Sequence, residues 1–492
     1  MATLLPHHIT TLLVIAQFFR NAILQVSLNL AVKGIYLFAV ERTVQNSLPE
    51  GDYGLYFALL GLGMLFQVIA DFGLQLFNSR VLAGHRHLLA KYFPYFVGLK
   101  LLLGSLFIVI LLAVGILLGY RGEEIYLLLL AGGIQFFNSI VLYLRSNLSG
   151  LGKYATDGFF SIMDKSLMIL SVGSLLLFAP EGLTIMRFAG LQLASWALTA
   201  TALVVVIKDR LPRKLPKFKK ATFGLLLRGG APYALAVFLA TAYTRTDAVM
   251  IERLLADGAA AADHYAAGYR LLDALNMIGW LLAGLLIPMY ARLHKHKESL
   301  LPLLRFSVQL LLAGSVCAAI PLAFYSQEVT ELLYPAFVEP RTGHILFFLA
   351  FSFIAQSLNY AYGALLSATG FIGRMNKIYA LGILLNLGGN LLALPRYGAA
   401  GAAAVTLITQ GFVAITQAIL AHRWHKLPGT TVPWFRILLF STFFASCGLA
   451  LIYFHPLNWL IECLLLGTFG IILAVLVGLV DVRQLSSLTK ED

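Results

Sequence analysis

Residues 95–118 read YFVGLKLLLGSLFIVILLAVGILL, and after the turn GYRGE (119–123) residues 124–144 read EIYLLLLAGGIQFFNSIVLYL. Each run has the length that an α-helix needs to cross roughly 30 Å of hydrocarbon. Lipid offers no partner to a backbone N–H or C=O, so a run of this kind satisfies its own polar groups as a helix. The pair therefore reads as a helical hairpin through a bilayer.

The same grammar continues on both sides. Apolar windows place further spans at 22–43, 54–78, 159–179 and 184–207, then at 230–254, 266–290, 302–325, 343–368, 374–394, 399–421, 435–455 and 459–480. The expected fold is an all-α polytopic membrane protein with about fourteen transmembrane helices. Composition agrees: 59% of residues are hydrophobic and only 12% charged, with a mean hydropathy of +0.83. A water-facing surface needs about twice that charge.

Several function classes fall away. The net charge of +13 would suit nucleic acid, but no basic patch with interleaved aromatics is present. No loop exceeds about 20 residues, which leaves no room for a soluble catalytic domain of ordinary size. No GxxxxGK[ST] motif indicates an ATP-driven module. Cys317, Cys447 and Cys463 lie in apolar runs without a CxxC pair. Ile9–Phe19 lacks a basic lead and an A-x-A site, so it reads as an interfacial or pre-helix segment and not as a cleaved signal. The expectation is a transporter, not an enzyme, with no cofactor.

Basic residues between spans orient the chain. With the N-terminus in the cytosol, inside loops carry Arg80, Arg86, Lys91, Arg145, Lys153, Arg292, Lys295, Lys297, Arg305, Arg374, Lys377, Arg423, Lys426, Arg436 and the cluster from Lys208 to Lys220, whereas outside loops carry only Arg42, Arg121, Arg187, Arg253, Arg341 and Arg396. The positive-inside rule then puts both termini in the cytosol. HKHK (294–297) and HRWHK (422–426) read as interface anchors for anionic membrane lipid.

The chain also repeats itself. Glu41-Arg42, Asp52-Tyr53-Gly54 and Arg80 are answered by Glu252-Arg253, Asp263-His264-Tyr265 and Arg292, with 27 residues from Tyr to Arg in both copies. LSGLG (148–152) is answered by LSATG (366–370). Six spans separate the copies, so both have the same orientation, as in parallel-repeat transporters. The expected organisation is a six-helix lobe at 1–207, a basic cytosolic linker at 208–229, a second six-helix lobe at 230–421, and two further helices with a tail at 422–492.

These residues resemble a known family. SLPEGDYGLYFALLGLGMLFQVIADFGLQLFNSRVLA (47–83), the seventh and eighth spans with TAYTRTDAVMIERLL and HYAAGYRLLDALNMIGW, and NLGGNLLALPRYGAAGAAAVTLITQ (386–410) are similar to polysaccharide and lipid-linked oligosaccharide flippases of the multidrug/oligosaccharidyl-lipid/polysaccharide exporter superfamily. Ala393-Leu394-Pro395 departs from the Ile-Pro that usually ends the eleventh span. The resemblance implies alternating access between two lobes. Its implied substrate is an undecaprenyl-diphosphate-linked oligosaccharide, a surface-polysaccharide (O-antigen or exopolysaccharide) repeat unit, turned outward across a bacterial inner membrane. It also implies a coupling proton or sodium ion, with glycosyltransferases and a glycan polymerase as partners.

Charges inside spans are costly and default to functional hypotheses. Lys33 lies mid-span and reads either as a phosphate contact or as the structural partner of Asp71. Arg245 and Asp247 are two apart on one helix and face different ways, so Arg245 needs another partner. Arg270 and Asp273 share a face and either pair or serve a ligand. Flippases similar to the peptidoglycan-precursor carrier use cations in the first and eighth spans, which favours Lys33 and Arg270. Asp71, Asp247 and Asp273 are the candidates for ion coupling, although Asp71 reads first as a helix terminator that positions Arg80. Gln356, Asn359, Tyr360, Asn386 and Asn390 offer hydrogen bonds to sugar or between helices, and Tyr243, Tyr269 and Trp280 offer rings for stacking. Asp164 and Lys165 read as a surface or inter-helix pair.

Two other readings compete. A cation-coupled drug or toxin antiporter of the same superfamily needs an acidic, aromatic cavity, against the excess of intramembrane Lys and Arg. A membrane-embedded glycan polymerase needs a large external loop, and none exists.

Overall fold

The computed structural model describes residues 27–75, 88–150, 153–207, 220–428, 432–454 and 457–480. Among these, twelve helices are long and apolar enough to cross a membrane, and no strand occurs. One of the twelve, Ile372–Trp424, is two helices joined at Gly398, where φ 56° and ψ −148° break the helical path. The first span is described from residue 27 onward. The N-terminal run at 9–19, Arg80, Arg86, most of the basic cluster (208–219) and the tail beyond 480 lie outside the described residues.

The helices are numbered in chain order. The first, α1, spans 27–47 and contains a π-helical stretch, Tyr36–Glu41. It is followed by α2 (Asp52–Asp71), α3 (Leu88–Leu117), α4 (Glu123–Gly150), α5 (Tyr154–Phe178) and α6 (Ile185–Ile207). Then come α7 (Lys220–Leu254), α8 (Gly258–Lys295), α9 (Leu301–Phe324), the short α10 (Ser326–Leu333), α11 (Pro340–Ala368), α12 (Ile372–Trp424), α13 (Trp434–Phe454) and α14 (Trp459–Leu476). Large apolar side chains stand outward, among them Leu117, Phe178, Leu392, Phe435 and Tyr453. A soluble monomer rarely exposes apolar surface on this scale. Asp247, Asn386, Asn390, Gln417 and Glu462 are instead wholly buried. This is a multi-pass membrane protein.

Contacts divide the chain into two compact units. The first comprises residues 1–48, 59–238 and 486–492. Its core joins Phe96, Leu99 and Leu103 of α3 to Val141 and Leu144 of α4, Phe160 of α5 and Leu203 of α6. The second comprises 49–58 and 239–485. Its main core joins α8, α9, α11, α13 and α14 through Tyr290, Leu312, Tyr362, Phe440, Phe444 and Leu466. Glu462 anchors α14 in that unit by accepting hydrogen bonds from Tyr325 Oη at 2.9 Å and the Leu457 N–H at 3.0 Å.

One boundary is corrected. Residues 220–229 were expected to be linker, but α7 begins at Lys220. In sequence the basic run marks the break, and the apolar window starts at Gly230. In the fold Gly230 is a packing site: a Cβ there would lie 2.3 Å from the Phe72 carbonyl oxygen, so only glycine permits the approach. Pro232 is carried inside α7.

Candidate functional site

In the first unit, Lys33 is half-buried on α1. Its Nζ has no carboxylate within ion-pair distance among the described residues, while Asp164, Lys165 and Arg145 act on it electrostatically. Asp71 is not its partner. The Lys100 ammonium reaches Asp71 at 2.5 Å and the Ser139 hydroxyl at 2.5 Å, tying α2 to α3 and α4. Asp71 ends its helix as expected, with Phe72 and Gly73 following at φ 46° and 69°. Arg80, the residue it was expected to position, lies outside the described residues. Lys165 lies 3.5 Å from Asp164 and also sits over the Tyr36 ring at 4.3 Å. Arg145 pairs with Asp157 at 2.7 Å.

In the second unit, α7 and α8 bring the predicted cations together. Arg245 finds its partner on the neighbouring helix, donating to Asp273 at 2.9 Å. Arg270 approaches the same carboxylate at 3.7 Å and donates to Tyr53 Oη at 3.0 Å. Aromatic faces complete the cluster: Arg245 over Tyr269 at 4.8 Å, and Arg270 over Phe57 at 5.1 Å. Such contacts hold a guanidinium in a fixed place without neutralising it. The approach of Tyr53 and Phe57 depends on Gly54, where a Cβ would fall 2.1 Å from the Ala259 carbonyl oxygen.

Asp247 faces elsewhere, as its separation from Arg245 required. It is wholly buried and accepts from Asn390 Nδ2 at 2.7 Å, from Tyr265 Oη at 3.0 Å and from the Thr406 hydroxyl. Asn390 Nδ2 also lies 3.3 Å from Asn386 Oδ1. Among the described residues no cation pairs with Asp247. Of the three candidate coupling carboxylates, Asp71 and Asp273 are engaged with Lys and Arg, and Asp247 is held by neutral donors.

The tenth-span candidates separate. Asn359 Nδ2 donates to Gln410 Oε1 at 2.9 Å and lies 3.3 Å from Gln356 Oε1. Tyr360 lies over Gly279, where a Cβ would meet its ring at 2.4 Å. Tyr243 is buried beside Tyr379, with ring centroids 5.8 Å apart. Trp280 is largely exposed, where a lipid-facing ring would stand. No group of three or more His, Cys, Asp or Glu capable of holding a metal ion occurs among the described residues.

Sequence reasoning passed over Lys100, although it is a charge within a span like Lys33. It matched Tyr53 to Tyr265 in the repeat without assigning either to a site. Thr406 carries no local signal: a single hydroxyl in an apolar helix gains meaning only from Asp247, 159 positions away.

The second unit thus carries two guanidiniums gathered at one carboxylate and a second, wholly buried carboxylate on the spans of a multi-pass membrane protein. The family model described as polysaccharide biosynthesis protein matches residues 18–294, and the chain belongs to that family. Solved structures share the fold. The lipid II flippase MurJ, in an inward closed conformation, aligns with a TM-score of 0.59 and 15% identity over 97% of this chain and 98% of its own. A superfamily transporter from Pyrococcus furiosus aligns with a TM-score of 0.60 and 15% identity, over 82% of this chain and 95% of its own. A MATE transporter of Vibrio cholerae aligns at 0.57 and 15%, over 84% and 99%. No curated protein matches.

Proposed function

We propose that the protein flips an undecaprenyl-diphosphate-linked oligosaccharide from the cytosolic to the outer leaflet of a bacterial inner membrane by alternating access. The observation that carries this reading is Lys33, a half-buried ammonium with no ion-pair partner among the described residues. An isolated charge in a span is expensive unless a ligand or water compensates it. A diphosphate supplies that compensation and a cationic drug does not. Within the second unit, Arg245 and Arg270, held by Asp273 and aromatic faces, are further fixed positive charge suited to an anionic headgroup. Gln356, Asn359, Tyr360 and the tyrosines near them supply hydrogen-bonding and stacking groups suited to a glycan. A lipid II flippase is among the proteins that share the fold.

Asp247, buried among neutral donors, takes the coupling cation, a proton or sodium ion. Asn386 Oδ1, Asn390 and the Thr406 hydroxyl are the oxygens that such an ion would share with it.

Proteoliposomes loaded with a fluorescent diphosphate-linked oligosaccharide test the reading. Lys33→Ala and Arg245→Ala are expected to lower flipping at least tenfold while Lys33→Arg retains it, all three remaining monodisperse. Wild-type flipping by Lys33→Ala and Arg245→Ala would eliminate the cationic mechanism. Efflux of a lipophilic cation by the wild-type chain, without glycan flipping, would favour the antiporter.

A further inference from the structure

Polar side chains continue past Asp247 along one face of α12. After Gly398 this helix presents Thr406, Thr409, Gln410 and Gln417, spaced by three, one and seven residues and thus gathered on one side of a 3.6-residue helix. Every one is buried: Thr406 1%, Thr409 0%, Gln410 5% and Gln417 0% exposed. An inward polar stripe of this length is not needed for packing, which Ala or Val would serve.

The hydrogen bonding within the stripe is incomplete. Thr406 reaches Asp247, and Gln410 accepts from Asn359. Thr409 Oγ1, Asn359 Oδ1, Asn390 Oδ1 and both amide atoms of Gln417 form no well-aligned hydrogen bond with protein, Tyr379 being the polar neighbour of Gln417. Buried polar atoms are nearly always partnered, by protein or by water. Unsatisfied atoms on this face, and on Asn359 and Asn390 that bond to Gln410 and Asp247, mark a place where water or an ion belongs. Between Thr409 and Gln417 stands Val413, wholly buried, with Gly382 opposite: a Cβ on Gly382 would lie 3.0 Å from the valine methyl. The bare glycine lets the two halves of α12 pack together here, so an apolar constriction interrupts the polar stripe.

We propose that this face of α12 lines a narrow hydrated path for a monovalent cation, hydronium or sodium, running inside the second unit from Asp247 to the end that carries Trp424. Thr406 to Gln417 covers about 16 Å at 1.5 Å per residue. The path gives the ion a way to Asp247 that runs wholly inside the second unit. This rests on the reading of Asp247 as the coupling site, and it adds a route that the reading does not require.

Cysteine accessibility tests it. In a chain carrying Cys317→Ser, Cys447→Ser and Cys463→Ser, single cysteines are placed by Thr409→Cys, Gln417→Cys, the outward-facing Ile415→Cys and the exposed Lys426→Cys. Reaction with silver ion, a small monovalent cation, is then timed in purified protein. Thr409→Cys and Gln417→Cys are expected to react within about tenfold of Lys426→Cys, and Ile415→Cys at least about a hundredfold more slowly. Thr409→Cys as slow as Ile415→Cys, whether or not Gln417→Cys reacts, would overturn the path. Hydroxyl-radical footprinting of the unsubstituted chain checks the same point without substitution: Tyr379 becomes oxidised if water reaches the stripe and stays unmodified if it does not. Competition by sodium at constant pH, against competition by acid at constant sodium, tells which cation uses the route. Asp247→Asn measured in the flipping assay separates the two claims. Unchanged, sodium-dependent flipping would remove the coupling role and leave the path standing, whereas lost flipping with silent cysteines would do the reverse.

Discussion

At the residue scale, the chemistry turns on how each buried charge is compensated. Arg245 and Asp273 are each about a quarter exposed, so their pair falls between a screened surface contact and a sealed one. Removing one partner leaves the other partly desolvated, which costs more than the pair contributes. Arg245→Gln and Asp273→Asn are each expected to lower the unfolding temperature in detergent, and the double variant to recover about 1–2 kcal/mol relative to additivity. Strictly additive losses would mean that the pair does not hold α7 to α8. This pairing was only half legible in sequence. The two-residue offset excluded Asp247 as the partner of Arg245, but helix rotation alone does not say which neighbouring helix supplies a carboxylate. The same limit hid Lys100 behind the expected Lys33–Asp71 pair, because hydropathy locates a charge along a span without ranking its neighbours in space.

At the element scale, glycines decide where helices bend and touch. Gly398 adopts φ 56° and ψ −148°, a region essentially closed to residues with a Cβ. The bend turns the chain so that Thr406 on its far side and Asn390 on its near side both reach Asp247. Gly398→Ala is therefore expected to cost on the order of 1–3 kcal/mol and to lose cation-dependent stabilisation together with Asp247→Asn. The comparison is Gly98→Ala in α3, where a Cβ meets nothing within 4 Å and helix propensity favours alanine. Equal behaviour of the two variants, read by thermal unfolding with and without sodium, would show that the bend does not build the Asp247 site. The sequence pointed to a boundary here, since apolar runs on either side of Pro395 and Gly398 read as two spans. It misplaced the start of α7, because the charges before Gly230 end the apolar window although the helix itself extends back to Lys220.

At the scale of the whole molecule, the strongest constraint is the alternation imposed by the bilayer. Each span reverses direction, so one missed or invented helix would exchange the two sides for every loop downstream. The described helices preserve the expected order through α14, and the kinked α12 supplies two spans within one continuous element. This much was legible because a membrane helix announces itself by length and composition, whereas the compensation of its buried charges depends on tertiary neighbours. The basic ends of α8 and α12, at His294–Lys295 and His422–Arg423, then belong on the same side as each other and opposite to Arg396. Alkaline phosphatase, active only outside the cytosol, is accordingly expected to be inactive when fused after Lys297 or Lys426 and active when fused after Arg396. Activity after Lys297 would invert the second unit, place the Trp424 end of α12 outside, and require the coupling cation to leave where it is proposed to enter.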